Sequence, residues 1–242
     1  MNIALLTAAG LGSRMHQDIP KQFLHIRNKP VILYTLEAFQ KSALVDEIMV
    51  VSLANWQDMI WAYAKQFNID KLKYVVSGGM SGQESIFCGL KELVKNHSND
   101  DVVIVHDGNR PMISQEIIAD SIAVYKKYGS AVAAIPCIEA IFQSEDGISS
   151  DTAIPREKLW RTQTPHTYTL GKLLKAHQLA AKRNICNTTA SCVLMQMLGE
   201  KVFFSKGSEK NLKITTIEDI EIFESYLESS GKSGVEYLRL ED

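Results

Sequence analysis

The sequence has no close cysteine pair, no long apolar run and no excess of either charge. Its four cysteines, Cys88, Cys137, Cys186 and Cys192, show no CxxC spacing, so neither a zinc site nor a disulfide framework is indicated. No apolar stretch approaches the roughly 18–20 residues that cross a bilayer. The opening "MNIALLTAAG" has no basic segment before its apolar run and does not read as a signal peptide. The expectation is a cytoplasmic protein with no membrane contact. A formal net charge of -2 argues against the basic stripe of a nucleic-acid binder. With 45% hydrophobic and 22% charged residues over 242 positions, the chain can bury a sizeable core as one domain.

Short β-rich runs alternate with amphipathic ones. The strand candidates, 3–8, 47–52, 72–77, 101–107, 131–136 and 201–207, are mostly continuous apolar runs, as in a parallel sheet covered on both faces. Helix-length segments lie at 31–41, 55–68, 81–96, 114–128, 169–183, 189–199 and 216–230. Ser114 before Glu116, and Thr216 before Glu218 and Asp219, place N-caps and first-turn acids where helices should begin. The alternation predicts an α/β fold, a Rossmann-like, doubly wound and mostly parallel sheet. Residues 137–165, with "SEDGISS" at their centre, break the rhythm and read as a protruding β-arm.

Ligands of such sheets sit beyond the carboxyl ends of the strands, so the loops there matter most. After the first strand come Ala8, Ala9, Gly10 and Gly12, small enough for backbone N–H groups to approach a phosphate. These glycines alone read as a tight strand–helix turn. Arg14 and Lys21, with Pro20 stiffening the chain before the lysine, shift the reading towards a triphosphate cradle. A second glycine loop, "SGGMSGQES", carries Gly78 and Gly79, with Ser85 opening the next helix. Asp107 ends the fourth strand as a natural magnesium ligand, and Arg110 follows it. His106, on an apolar strand, reads as a hydrogen-bonded core residue. Lys213 lies between apolar residues in a strand-like run; it either points to the cleft or snorkels to the surface.

"AAGLGSRM…PKQFL", "GGMSGQESIFCGL", "VHDGNRPMIS", "LWRTQTPH" and "GSEKNLKITTIEDI" occur together in an order that resembles the methylerythritol-phosphate and ribitol-5-phosphate cytidylyltransferases. The resemblance covers roughly residues 1–230. It implies transfer of CMP from CTP to a polyol or sugar phosphate, with Mg2+ or another divalent cation, by a homodimer clasped through the arm at about 137–165. It places Arg14, Lys21 and Lys213 on the CTP phosphates, and Ala8, Ala9, Gly10, Gly79 and Ser85 around the nucleotide. Asp107 supports the metal with Arg110 beside it. Arg156, offered across the dimer interface, and Thr164 bind the acceptor phosphate.

The chain also departs from the pattern. Glu139-Ala140 stands where the family commonly has Asp-Thr contacting the substrate, and Gly82 replaces an arginine. His166 follows the Gln-Thr-Pro, Asn187-Thr188-Thr189-Ala190 replaces an acidic segment, and Leu194 replaces a glutamate. These changes favour a ribitol-5-phosphate-like or capsule-precursor acceptor over methylerythritol phosphate, which stays the alternative. A non-catalytic nucleotide-binding regulator is the alternative of another class.

Overall fold

The computed structural model describes residues 1–10 and 19–229. Its strands are β1 (Asn2–Ala8), β2 (His25–Ile26), β3 (Lys29–Pro30), β4 (Glu47–Ser52), β5 (Leu72–Ser77) and β6 (Val102–Asp107). They continue with β7 (Ala131–Pro136), β8 (Ile141–Gln143), β9 (Thr152–Ile154), β10 (Trp160–Thr169) and β11 (Phe204–Lys206). The helices are α1 (Val31–Lys41), α2 (Gln57–Gln66), α3 (Gly82–Leu93), α4 (Gln115–Tyr128), α5 (Leu170–Lys182), α6 (Ser191–Met197) and α7 (Ile217–Ser229).

Seven strands form one sheet in the order β11-β7-β10-β6-β1-β4-β5. All its pairings are parallel except those of β10, which runs against both β6 and β7. The continuous apolar runs are explained by the two faces of this sheet. Ala4 and Leu6 pack with Ile48, Val50 and Ile104 beneath α1, α2 and α4. Their neighbours Ile3 and Leu5 pack with Met49, Val51 and Val105 beneath α3 and α5. Successive residues of a strand point to opposite faces, so a doubly covered strand has no polar alternate positions.

From β1 the chain steps outward through β4 to β5, then crosses back to place β6 on the other side of β1. That reversal opens a crevice beyond the carboxyl ends of β1 and β6, where Ala8 and Asp107 finish their strands. Helix starts follow the caps: the Ser114 hydroxyl accepts from Ile117 N–H and that of Thr216 from Asp219 N–H.

Three expectations need correction. The irregular stretch is shorter than 137–165: only β8 and β9 pair as a separate hairpin, and from Trp160 the chain is already in the central sheet. This strand escapes a pattern search because "WRTQTPHTYT" has no apolar run and contains Pro165, which normally argues against an interior strand. The ladder to β7 accommodates it by a register shift between Thr162 and His166. Second, β11 is three residues rather than seven, since this edge strand pairs only with β7. Third, α3 begins at Gly82 with Ser81 as its N-cap, so Ser85 lies inside the helix.

Gly89 lets α3 lie close on the sheet. A Cβ there would stand 2.8 Å from Leu5 Cδ1 and 2.9 Å from Val51 Cγ2. Gly89→Val should therefore lower stability by about 2–3 kcal/mol through overpacking. An unchanged urea midpoint would show that the contact between α3 and the sheet is loose.

Candidate active site

Two cavities meet at the carboxyl edge of β1 and β6. The first, about 390 Å³, is lined by Ala8, Ala9, Gly10, Lys21, Gly79 and Ser85, with Asp107 and Lys213 at one end. Its shape comes from two loops held against each other. Buried Gln22 donates from Nε2 to the carbonyls of Ala8 (2.6 Å) and Gly10 (3.1 Å), tying the Pro-Lys-Gln segment to the end of β1. Phe23 stacks on Trp56 at 4.1 Å and anchors the short turn that carries Lys21. Across the cavity, a Cβ on Gly78 would lie 2.3 Å from Ala9 Cβ. The loops can touch only because Gly78 has no side chain. Gly78 itself stands behind the cavity wall, and Gly79 N–H donates to Ser85 Oγ at 3.2 Å.

The second cavity, about 280 Å³, shares Thr7, Gly82, Asp107 and Lys213 with the first. Gly82, His166, Thr188, Thr189 and Ala190, which are scattered departures in the sequence, all line it. Leu194 is fully buried in α6 and belongs to the core.

Asp107 is the junction. Its Oδ1 accepts from Lys213 Nζ at 2.9 Å and its Oδ2 from Arg110 Nε at 2.9 Å. Burial alone would raise its pKa, but Lys213 and Arg110 overcome that and hold the carboxyl below the usual carboxylate range. Lys213 is aimed by its neighbours rather than by a strand. Asn211 Nδ2 donates to Thr164 O (2.8 Å), and Ile214 N–H donates to Asn109 O (2.9 Å). The expected strand-like run is thus an unpaired segment pinned on both sides of the lysine. Gln163 braces it further by donating to Ser208 O and accepting from Ser208 N–H. Arg110 Nη1 donates to Asn211 O at 2.7 Å, so the arginine is a strut as well as a cation.

His106, fully buried, orients the other side. Its Nε2 faces the Arg110 carbonyl at 3.3 Å and its Nδ1 faces Thr164 Oγ1 at 3.0 Å. A carbonyl only accepts, so Nε2 carries the proton and Nδ1 accepts from the Thr164 hydroxyl. Thr164 Oγ1 in turn accepts from Asp107 N–H at 3.0 Å. The single hydroxyl proton of Thr164 thus serves His106 at the shorter distance, with Asp107 Oδ2 at 3.4 Å as its other acceptor.

The family model described as 2-C-methyl-D-erythritol 4-phosphate cytidylyltransferase matches residues 2–229. The ribitol-5-phosphate cytidylyltransferase of Lacticaseibacillus paracasei is 37% identical over 94% of this chain and 98% of its own. The 2-C-methyl-D-erythritol 4-phosphate cytidylyltransferase of Clostridium acetobutylicum is 39% identical over 95% and 99%. The chain belongs to this cytidylyltransferase family. The crystal structure of 4-diphosphocytidyl-2C-methyl-D-erythritol synthase from Anaerococcus prevotii superposes with a TM-score of 0.79, at 25% identity, over 94% of this enzyme and 96% of that chain.

Of the residues expected from the sequence, Ala8, Ala9, Gly10, Lys21, Gly79, Ser85, Asp107, Arg110, Thr164 and Lys213 gather around the two cavities. Gly12 and Arg14 lie outside the described residues. Glu139 and Arg156 sit on the arm and line neither cavity of their own chain; Arg156 Nη1 donates to Ile138 O at 2.7 Å. Sequence reading passed over Gln22, Asn109, Gln163 and Asn211. Their only signal is inclusion in the motif runs, because long-range bonds to backbone carbonyls leave no local pattern.

Two outcomes follow from this geometry. Thr164→Val should leave Asp107 N–H and His106 Nδ1 without partners, lowering stability by about 2–4 kcal/mol, whereas Thr164→Ser should restore most of it. Equal losses in both variants would point to the methyl group instead. The second concerns acid. Burial pushes His106 down to about 3, and His166 and His177 down to about 4. The unfolded chain therefore binds more protons below about pH 6.5, and stability falls as pH drops from there towards 4. The slope should approach about 4 kcal/mol per pH unit if all three contribute at about 1.4 each. Urea midpoints that stay flat from pH 7 to 5 would contradict it.

Proposed function

We propose that this cytidylyltransferase moves CMP from CTP to a polyol or sugar phosphate and releases pyrophosphate. The observation that carries the proposal is the pair of cavities joined at Asp107 and Lys213. One is walled by bare backbone and Lys21, the other by side-chain hydroxyls and imidazoles. The triphosphate occupies the first, with its α-phosphorus at the junction. The acceptor reaches that phosphorus from the second.

An acceptor phosphate oxygen forms the new bond to the α-phosphorus, and the bond to the β-phosphate oxygen breaks with its electron pair leaving on pyrophosphate. The attacking group is already an anion, so no general base is needed. The difficulty is bringing two anions together, and the chain meets it with Lys21 and Lys213 on the nucleotide side and Arg110 on the other. Arg14 is assigned to the triphosphate with them.

A divalent cation fits this site in one form. Among the described residues no cluster of three or more potential ligand side chains exists, so the protein supplies no cage. Asp107 is ionised and stands at the junction, and Mg2+ is commonly held by one carboxylate together with substrate phosphates. We assign Asp107 to a cation that arrives with CTP and supplies charge neutralisation at the phosphates.

Ribitol 5-phosphate is the favoured acceptor and methylerythritol phosphate the alternative; relatives bear both names at similar identity. The exposed Ile138 and Phe142 on the arm and Trp160 at the start of β10 support a homodimer in which the arm brings Arg156 and Glu139 to the partner's acceptor. No helix among the described residues is long and apolar enough to cross a membrane; a cytoplasmic site of action is part of the proposal.

Pyrophosphate release from CTP should require an acceptor phosphate and a divalent cation. Lys21→Ala should lower kcat/KM by about 10²–10³, and Asp107→Asn should abolish turnover or weaken its cation dependence. Full activity after EDTA treatment would remove Asp107 from its assigned role. Absence of pyrophosphate with every polyol and sugar phosphate tried would remove the proposal.

A further inference from the structure

We propose that α7 is a brace that holds Lys21 and Lys213 at one spacing, with Phe223 and Asp219 as its positioning residues. This rests on the reading above that puts both lysines on the CTP phosphates, and it adds what keeps them there. The two lysines are far apart in the sequence, yet both line the nucleotide cavity. Like charges so placed repel, and neither lies on a strand of the central sheet. Their spacing therefore depends on what ties their segments together.

That tie is a small apolar cluster apart from the two faces of the sheet. Within it Ile26, Val31, Ile214 and Phe223 are each no more than 1% exposed. Ile26 closely follows the turn that carries Lys21, and Ile214 is the residue next to Lys213. Among the residues of α7, Phe223 alone is buried, and it packs with both. The Tyr34 ring meets Phe223 edge-on at 5.0 Å, and the Tyr34 hydroxyl donates to Ile26 O at 2.8 Å. One aromatic pair thus joins the helix to the backbone beyond Lys21.

The first turn of α7 holds the segment of the other lysine. Asp219 Oδ2 accepts from Thr215 N–H and Thr215 Oγ1, both at 2.7 Å, and from Thr216 N–H at 2.8 Å. The carboxylate fixes the backbone just beyond Ile214, whose own N–H donates to Asn109 O. The rest of α7 is lightly attached. Glu228 pairs with Arg27 at 3.0 Å, but both side chains are exposed and such a pair contributes little. A helix held by so few buried groups opens more readily than the core beneath the sheet. A triphosphate that engages both lysines ties their segments from the cavity side and so favours the docked helix. By reciprocity, the docked helix favours the triphosphate by the same factor.

The test uses the full-length enzyme with CTP and Mg2+. Inorganic triphosphate is run beside CTP, because the brace concerns the phosphates alone. Phe223→Ala should weaken CTP binding, read by calorimetry, about tenfold, and Asp219→Ala about threefold. Phe223→Leu should recover most of the loss. CTP should slow hydrogen exchange of the α7 amides in the unmodified enzyme, and less so in either alanine variant. A double-mutant cycle separates bracing from general loosening. In a Lys213→Ala background, Phe223→Ala should cost much less affinity, because one of the two lysines it spaces is gone. Asp219 is only partly buried, so its variant carries the test if Phe223→Ala does not fold. Unchanged affinity in every folded variant, α7 exchange indifferent to CTP, or full additivity with Lys213→Ala would overturn the brace. If CTP binds but no acceptor releases pyrophosphate, the proposed reaction fails, and the affinities and exchange rates still decide the brace. If triphosphate binds and CTP does not, the nucleotide assignment fails and the triphosphate data decide it. Binding of neither would overturn both.

Discussion

The Asp107 carboxylate ends β6 with a cation on each oxygen, and the cations come from segments that the chain otherwise keeps apart. Arg110 follows after a short turn, whereas Lys213 arrives 106 residues later. The turn is fixed because Thr35 on α1 donates to the Gly108 carbonyl at 3.0 Å. The lysine is fixed because Asn211 and Ile214 are bonded on both sides of it. With a side chain only 16% exposed, Asp107 balances charges that would otherwise repel each other in a partly desolvated place. Removing it would leave two cations facing one another, a larger cost than losing one surface ion pair.

In the proposed reaction this arrangement would be in place beforehand. Lys213 and Arg110 are already gathered at the junction before any phosphate arrives, so their ordering cost falls on folding and not on the chemical step. In the proposed reaction, phosphates entering the junction would meet donors in place, the condition under which electrostatic stabilisation of a transition state is most effective. Asp107 is held ionised, since both neighbours favour its charged form.

Much of the fold was legible because the parallel strands are written as unbroken apolar runs and several helices start at side-chain caps. β10 was not, since its residues are polar where they face the site and its place in the sheet depends on partners far along the chain. The site was legible in the same uneven way. Glycines, lysines and the aspartate at strand ends announce themselves by type and position. Gln22 and Asn211 do not, because an amide that bonds a distant carbonyl looks like any surface amide until the chain is folded. Lys213 was ambiguous between cleft and surface, and the bonds flanking it decide the matter. The second cavity was legible only in part: Asp107, Arg110, Thr164 and Lys213 stand out in their motifs, but the wall that joins the first turn of α3 to the segment before α6 does not.

The reversed direction of β10 decides how precisely this edge of the crevice can be built. In the parallel strands around it, the residues at the crevice are those at which the chain leaves the sheet, so they sit at loop junctions. β10 runs the other way, and Gln163 and Thr164 reach the same edge while the strand lies between β6 and β7, with paired residues on either side of them. Thr164 is therefore carried by a segment fixed at both ends instead of by a free loop. An opposing strand lets a mainly parallel sheet place a hydroxyl beside its crevice with the rigidity of its interior, while the glycine-bearing segments after β1 and β5 line the neighbouring cavity.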